Sequence, residues 1–262
     1  MNAESAIERR VRSADGTPIG YVTLGSGPPI VMVHGTLGTH QSLLATAREL
    51  SRQFTCHVMD RRGRGMSGDA GNYGIARELE DIEAVLAAAG SGAGLVGHSY
   101  GALCSLLTAS RTPVSRLALY EPPWPIHGPA HTRCIAPCAD AVRRGKYEEA
   151  LMIFLSEVGL PPAGPGPIPP EVVALAPTLV REMQGVDSVG PGLEQFAGLT
   201  TPMLLLLGTL SDQPHLRDTT LELARLAPKV RLRRLEGHGH MANLLAPELV
   251  ATEIAAFFAA TH

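Results

Sequence analysis

The chain has 262 residues, of which 45% are hydrophobic and 18% are charged, and its formal net charge is −3 at pH 7. This length and composition are typical of one α/β domain with a sizeable insertion, and they exclude a disordered or fibrous protein. The weak negative charge excludes the basic excess with which proteins bind nucleic acid or anionic lipid. We therefore expect a small-molecule substrate, with neither nucleic acid nor a membrane as partner.

The N-terminal segment and the cysteine content bear on the cellular compartment. The first ten residues hold no apolar core of the length that a signal peptide needs, and no later run reaches the roughly 18 apolar residues of a membrane span. Four cysteines are few for this length, as in proteins of a reducing compartment. Cys134, Cys138 and His131 are too few ligands, in a Pro-interrupted stretch, to favour a metal site. We expect a cytoplasmic protein without metal or cofactor, and leave the oligomeric state open, with a homodimer as one option.

The first half of the chain alternates between strand-like and helix-like apolar spacing. A hairpin is predicted over residues 7–12 and 19–24, joined by the turn signal Asp15-Gly16. Further strands are predicted at 30–33, 54–59, 94–97 and 114–120, and helices at 41–50, 76–89 and 102–110. This alternation predicts βα units that pack into a mostly parallel sheet.

The alternation stops after residue 121 and resumes near residue 201. Between them, helices are predicted at 139–158 and 171–183, on either side of a Pro/Gly-rich connector at 161–170. Afterwards, strands are predicted at 203–207 and 230–235, and helices at 216–226 and 247–260. We therefore predict a core domain formed by residues 1–121 and 201–262, with a helical lid inserted at 122–200.

The motif Gly97-His98-Ser99-Tyr100-Gly101 lies between a predicted strand and a predicted helix. Gly-x-Ser-x-Gly in this position is the sequence form of a nucleophile elbow, a strained turn that lifts the serine hydroxyl off the backbone. The glycines avoid side-chain clashes with the adjacent strand and helix across so tight a turn. The helix beginning at Tyr100 directs free N–H groups toward the serine, which favours an oxyanion there. We predict Ser99 as a nucleophile.

A serine hydroxyl is a weak nucleophile unless a base takes its proton. Two histidines, His238 and His240, follow the last predicted strand, where a loop can cross the top of the sheet toward the elbow. The residues by themselves leave both as candidates for the base.

Together with His34-Gly35 and the stretch at residues 60–67, these motifs resemble the α/β-hydrolase superfamily over the whole chain. The resemblance implies an α/β fold with a mostly parallel central sheet flanked by helices and a helical lid. In this family the base is the histidine of a Gly-His pair followed seven residues later by Pro-Glu, which favours His240 because Pro247 and Glu248 follow it at that spacing. The resemblance also implies that the backbone N–H groups of Thr36 and Tyr100 form the oxyanion hole.

The acid of the triad has two candidates. The family usually carries it as Gly-x-x-Asp after the strand that follows the lid, but here Ser211 holds that place and Asp212 comes one residue later. Some members carry the acid at the end of the strand after the elbow helix, where Glu121 stands. A carboxylate buried there needs a partner, and an imidazolium is a natural one. We prefer Glu121 over Asp212.

A nucleophilic serine beside an oxyanion hole implies acyl transfer to water through an acyl-enzyme. We expect cleavage of a carboxylic ester or lactone of a small apolar substrate, and we predict Trp124 and Met152 of the apolar lid as substrate contacts. The alternatives are a thioesterase of a biosynthetic pathway, a C–C bond hydrolase and a non-catalytic ligand-binding protein of the same fold.

Overall fold

The computed structural model describes residues 6–159, 167–190 and 192–260. One sheet of eight strands runs through this part of the chain in the order β1-β2-β4-β3-β5-β6-β7-β8. The strands are β1 (Ile7–Arg12), β2 (Pro18–Leu24), β3 (Pro29–Val33), β4 (Thr55–Met59), β5 (Gly94–His98), β6 (Leu117–Tyr120), β7 (Met203–Gly208) and β8 (Val230–Leu235). Strand β2 pairs antiparallel with β1 and β4, whereas β3 to β8 run parallel.

Helices cover both faces of the sheet. The helices of the core domain are α1 (Gln41–Leu50), α2 (Ile75–Ala89), α3 (Tyr100–Ala109), α8 (Pro214–Leu226), α9 (Ala242–Leu245) and α10 (Pro247–Ala259). Alternate residues of the central strands enter two separate cores, because successive side chains of a strand point to opposite faces. Val31 and Val33 pack with α2 and α3, while Ile30 and Met32 pack with α1 and α10. The predicted α/β architecture is therefore confirmed.

The lid segment lies between β6 and β7. It contains α4 (Thr132–Arg143), α5 (Tyr147–Glu157), α6 (Pro170–Val173), α7 (Ala176–Ser188) and a 3-10 helix at Glu194–Phe196. Its own apolar cluster is formed by side chains of α4, α5 and α7. Leu37, in the loop after β3, also packs against this cluster, so the lid contacts the core domain beside that loop.

The structure corrects three sequence predictions in and next to the lid. The single helix predicted at 139–158 is wrong, because Gly145 adopts a positive φ of 68° and separates α4 from α5. The helix predicted at 171–183 is divided into α6 and α7. The strand predicted at 114–120 begins only at Leu117. Most of the connector predicted at 161–170 lies outside the described residues.

Parallel strands bring their carboxyl ends to one edge of the sheet, and loops at that edge form the usual ligand crevice of such folds. His34 and Gly35 follow β3, Ser99 follows β5, Glu121 follows β6 and His240 lies in the loop after β8. The candidate residues therefore meet at one edge although they are far apart in sequence. Among the helices of the described ranges, none combines the length and apolarity needed to cross a bilayer.

Candidate active site

Ser99 occupies a tight turn between β5 and α3. Its backbone has φ 54° and ψ −126°, a conformation that costs energy for a residue other than glycine and persists only when its surroundings enforce it. A methyl group on Gly101 would lie 2.4 Å from the carbonyl oxygen of Val33, and one on Gly97 would lie 2.6 Å from the Cα of Ala102. Only glycines fit there, so the sequence motif produces this turn by removing two side chains.

The loop after β3 lies directly against Ser99. A methyl group on Gly35 would lie 2.8 Å from the Cβ of Ser99. His34 holds this loop with both ring nitrogens: Nε2 accepts the backbone N–H of Arg61 at 3.1 Å, so Nδ1 carries the proton and donates to the Gly35 carbonyl at 2.8 Å. Burial, with the charge of Arg61, lowers the pKa of His34 well below its usual value and keeps the ring neutral.

The two backbone N–H groups predicted to form the oxyanion hole are those of Thr36 and Tyr100. Thr36 follows Gly35 in the loop beside Ser99, and Tyr100 is the first residue of α3. Within the described residues neither N–H donates a hydrogen bond. Both groups are therefore free to receive a substrate oxygen, and the N-terminal end of α3 adds its partial positive charge.

Glu121 and His240 are in direct contact. The Nδ1 atom of His240 lies 2.6 Å from Oε2 of Glu121, and both residues are buried. A carboxylate can only accept this bond, so Nδ1 carries the proton and Nε2 keeps a lone pair. The imidazole is thereby held in the tautomer that can accept a proton from a serine hydroxyl.

The second carboxylate oxygen of Glu121 has two further donors. Oε1 accepts the backbone N–H of Gly208 at 2.7 Å and the hydroxyl of Ser211 at 2.6 Å. Ser211 stands where the family usually carries its acid. Here its hydroxyl donates to the carboxylate that contacts His240. Asp212 is exposed, and its side chain makes no hydrogen bond in the described part of the chain. The structure therefore brings Glu121, and not Asp212, together with His240.

His98 and Tyr120 support the loop that carries His240. The ring of His98 lies 4.7 Å from that of His240, and its Nε2–H donates to the His240 carbonyl at 2.9 Å. The hydroxyl of Tyr120 donates to the Gly239 carbonyl. Burial, with the nearby His240, lowers the pKa of His98 to about 3, so this second imidazole stays neutral.

Ser99 is half-buried and its hydroxyl makes no hydrogen bond within the described ranges, and Nε2 of the buried His240 makes none there either. Hydrogen bonds between a nucleophile and its base commonly tighten only once substrate is bound. The serine hydroxyl and Nε2 of His240 thus have no hydrogen-bond partner in the described part of the chain.

A family model described as the alpha/beta hydrolase family matches residues 30–253, which include every residue of this site. The chain belongs to the alpha/beta hydrolase family. A solved alpha/beta hydrolase from Sphaerobacter thermophilus is 35% identical to it, with a TM-score of 0.85 over 95% of this chain and 100% of that one.

Two further proteins are similar to this alpha/beta hydrolase. A solved esterase from a Rhodococcus species is 24% identical, with a TM-score of 0.78 over 97% of this chain and 99% of that one, which shows the shared fold. A cis-3-alkyl-4-alkyloxetan-2-one decarboxylase from Shewanella oneidensis is 29% identical over 120 residues. That match spans 43% of this chain and 38% of the length of the decarboxylase.

The two residues predicted as substrate contacts, Trp124 and Met152, lie in different surroundings. Trp124 is completely buried and packs edge-on against Phe196, with a ring-centroid distance of 5.3 Å. Met152 lies on α5 and is 46% exposed. The site contacts described above include neither side chain, so their roles in substrate binding stay predictions.

A buried charged cluster joins the lid of this alpha/beta hydrolase to the loop after β3. Arg61 lies 2.9 Å from both Glu78 and Glu182, and Arg64 also pairs with Glu182. Burial opposes the ionisation of Glu182, but the charges of Arg61 and Arg64 and a hydrogen bond from Thr36 outweigh it and lower its pKa to about 2. Glu182 belongs to α7, so this ion cluster fixes the position of the lid beside Thr36.

Two residues that support the site were not predicted from the sequence. His98 is the variable position of the elbow motif, and Ser211 stands where an aspartate is expected. A hydroxyl at position 211, combined with a carboxylate after β6, is the sequence signal that indicates a role for Ser211. Across the described residues, no group of three or more histidine, cysteine, aspartate or glutamate side chains is arranged to hold a metal ion.

Proposed function

We propose that this alpha/beta hydrolase is a serine hydrolase that cleaves a carboxylic ester or lactone through an acyl-enzyme. The observation that carries the proposal is the 2.6 Å contact between Glu121 and Nδ1 of His240, at the same sheet edge as Ser99 in its strained turn. A buried carboxylate, an imidazole in the correct tautomer and a nucleophilic serine are the parts that acyl transfer requires.

In the first half of the proposed reaction, Oγ of Ser99 attacks the substrate carbonyl carbon while Nε2 of His240 takes the hydroxyl proton. Glu121 stabilises the imidazolium that forms. The backbone N–H groups of Thr36 and Tyr100 bind the negative oxygen of the tetrahedral intermediate, where each such donor typically contributes on the order of a hundredfold to a thousandfold in rate. The imidazolium then protonates the departing alkoxide, and the alcohol leaves.

In the second half, a water molecule gives its proton to His240 as its oxygen attacks the acyl carbonyl. The second tetrahedral intermediate expels Ser99 Oγ, which recovers its proton from His240, and the carboxylic acid is released. In a lactone the alcohol and the acid belong to one molecule, so the product is a hydroxy acid.

Two observations support an ester or lactone with an apolar portion. Leu37, next to Thr36, packs against the apolar cluster of the lid, so an apolar surface adjoins the proposed oxyanion hole. The decarboxylase relative acts on an oxetan-2-one, which is a four-membered lactone. Because that relative is named a decarboxylase, loss of carbon dioxide from such a ring is the second candidate activity, and product analysis separates the two.

The test combines covalent labelling with turnover. We expect a fluorophosphonate probe to label the wild-type protein and the Ser110→Ala variant, since Ser110 is an exposed serine just after α3, but not the Ser99→Ala variant. Wild type and Ser110→Ala should also hydrolyse p-nitrophenyl esters of increasing chain length, and Ser99→Ala should not. Absence of labelling in the wild-type protein rejects the serine-hydrolase proposal. Release of carbon dioxide from a β-lactone without a hydroxy-acid product favours the second candidate.

A further inference from the structure

Two more histidines lie together where the lid segment meets the core domain. His131 directly precedes α4 in the lid segment, and His215 is the second residue of α8 in the core domain. Their ring centroids are 5.8 Å apart, and the ring planes are inclined by 76°. The pair therefore bridges the lid and the core domain.

The position of His215 is tied to the acid of the site. The backbone N–H of Trp124, three residues after Glu121, donates to the carbonyl of His215 at 3.2 Å. Ser211, which donates to Glu121, lies four residues before His215 on the same connection. The histidine pair is thus tied through this connection, and through the Trp124 N–H, to the carboxylate that contacts His240.

Both histidines are held by their backbones. The N–H groups of Ala130 and His131 donate to Oδ1 of Asp187 on α7, at 2.7 Å and 3.3 Å. The carbonyl of His215 accepts the Thr219 hydroxyl at 2.8 Å in addition to the Trp124 N–H. The backbone at each position is fixed before any ligand arrives, which lowers the entropy cost of binding one.

The ring nitrogens of the pair have no partner in the described part of the chain. Nδ1 of His131 is buried and makes no hydrogen bond, and the neighbouring thiol of Cys134 donates to the His131 carbonyl. His215 makes no side-chain hydrogen bond either. The contrast with His34 and His98 is informative, since those two use their nitrogens to bind backbone groups of this site.

A buried imidazole that is kept only for packing is expected to satisfy its polar atoms, as His34 does with both ring nitrogens, because a buried polar atom without a partner is destabilising; Nδ1 of His131 is such an atom, whereas His215 is half-buried. Burial, with the nearby His131 and His240, lowers the pKa of His215 to about 4, so its ring is neutral at neutral pH. A neutral imidazole offers one donor and one acceptor. That combination matches a hydroxyl or carbonyl group and offers no charge to a carboxylate.

We propose that His131 and His215 form a polar subsite that hydrogen-bonds a neutral oxygen group, a hydroxyl or carbonyl, of the substrate. This inference rests on the proposed function, because it assigns a substrate class to the same site. It narrows the substrate from a plain apolar ester to an ester or lactone that carries a second, uncharged oxygen function near the reacting carbonyl.

The first experiment compares ethyl esters of butyric, 2-hydroxybutyric, 3-hydroxybutyric and 3-oxobutyric acid. We expect the wild-type protein to prefer at least one oxygenated ester over ethyl butyrate by about tenfold in kcat/KM, which is what one or two good hydrogen bonds provide. The preference should be lost in His131→Leu and His215→Leu and partly restored in His131→Gln. The control is His127→Leu, which changes an exposed lid histidine that pairs with Asp218 and should retain the preference.

The second experiment does not depend on turnover. In Ser99→Ala protein with 15N-labelled histidine, the amides of the same four acids are titrated and the imidazole nitrogen signals are followed. Shifts of the His131 and His215 signals with an oxygenated amide, and not with butyramide, support the subsite even if no ester is hydrolysed, in which case only the proposed function fails. Ester hydrolysis without preference, together with unshifted signals for every amide, overturns the subsite and leaves the proposed function standing. If a leucine variant does not fold, the imidazole nitrogen signals of the Ser99→Ala protein alone decide whether the subsite exists.

Discussion

The carboxylate of Glu121 and the imidazole of His240 meet at 2.6 Å although 119 residues separate them in sequence. The contact is buried, and Gly208 and Ser211 occupy the other carboxylate oxygen. Glu121 itself has a positive φ of 47°, so the end of β6 turns sharply to direct this side chain along the sheet edge. This carboxylate is therefore positioned by three separate connections of the core domain.

The first prediction concerns the choice of acid. We expect Glu121→Gln to lower kcat by about a thousandfold to ten-thousandfold, because the amide can favour the wrong tautomer of His240 and cannot stabilise the imidazolium. Asp212→Asn should stay within about twofold of wild type, since most surface changes away from such contacts have small effects. The measurement is steady-state hydrolysis of a p-nitrophenyl ester. Comparable losses in both variants would contradict the assignment of Glu121.

The second prediction concerns Ser211. Removing its hydroxyl leaves Oε1 of Glu121 with the Gly208 N–H as donor, so we expect Ser211→Ala to lower kcat by about tenfold with little change in KM. Ser211→Thr, which keeps a hydroxyl, should recover most of the loss. The matched control is Ser156→Ala at an exposed position of α5. A change confined to KM would show that Ser211 acts on substrate binding instead.

The third prediction is a pH dependence of stability. His98 has an ordinary pKa of 6.5 when unfolded and one of about 3 when folded, so between these values the unfolded chain binds a proton that the folded protein does not. The contribution of neutral His98 to the free energy of unfolding is fully present above pH 6.5. It falls by about 1.4 kcal/mol per pH unit as the pH drops toward 3. Denaturant titrations between pH 7 and pH 4 should show a shallower pH slope for His98→Phe than for wild type. Equal slopes would refute the neutral state of His98.

The fourth prediction concerns the close approach at the elbow. A methyl group on Gly101 would collide with backbone atoms of β3 and the loop after it, so we expect Gly101→Ala to lower the free energy of unfolding by about 1–3 kcal/mol or more. Gly71→Ala is the control, because nothing lies within 4 Å of the added methyl, and it should stay within about 0.5 kcal/mol of wild type. Chemical denaturation measures both. A neutral Gly101→Ala would mean that α3 can move away from β3 without cost.

The fifth prediction concerns the ion cluster between the lid and the core domain. Glu182→Gln leaves the buried Arg61 and Arg64 with one carboxylate fewer, and breaking a buried pair in this way typically costs about 3–5 kcal/mol. Glu157→Gln changes an exposed glutamate of α5 and should be nearly silent. The free energy of unfolding, measured for both variants, tests whether Glu182 holds the lid segment in place.

Most of the secondary structure followed from local signals. The hairpin at the start and the βα units up to α3 were predicted to within a few residues, because strands buried on both faces and amphipathic helices differ in length and apolar spacing. The lid was predicted less well. Its helices do not alternate with strands. One glycine, Gly145, divides a helix that the apolar spacing predicted as continuous.

The sequence by itself determined the order of elements, the elbow at Ser99 and the short set of side chains able to act there, because these depend on local spacing, on glycines and on residue chemistry. Only the tertiary structure decided which carboxylate contacts His240, since the sequence favours Glu121 but leaves Asp212 open until the loops after β6 and β7 are placed. The same reason applies to Ser211, His98 and the pair His131 and His215. The roles of these side chains depend on contacts between residues that are distant in the chain, and no local sequence pattern encodes such contacts.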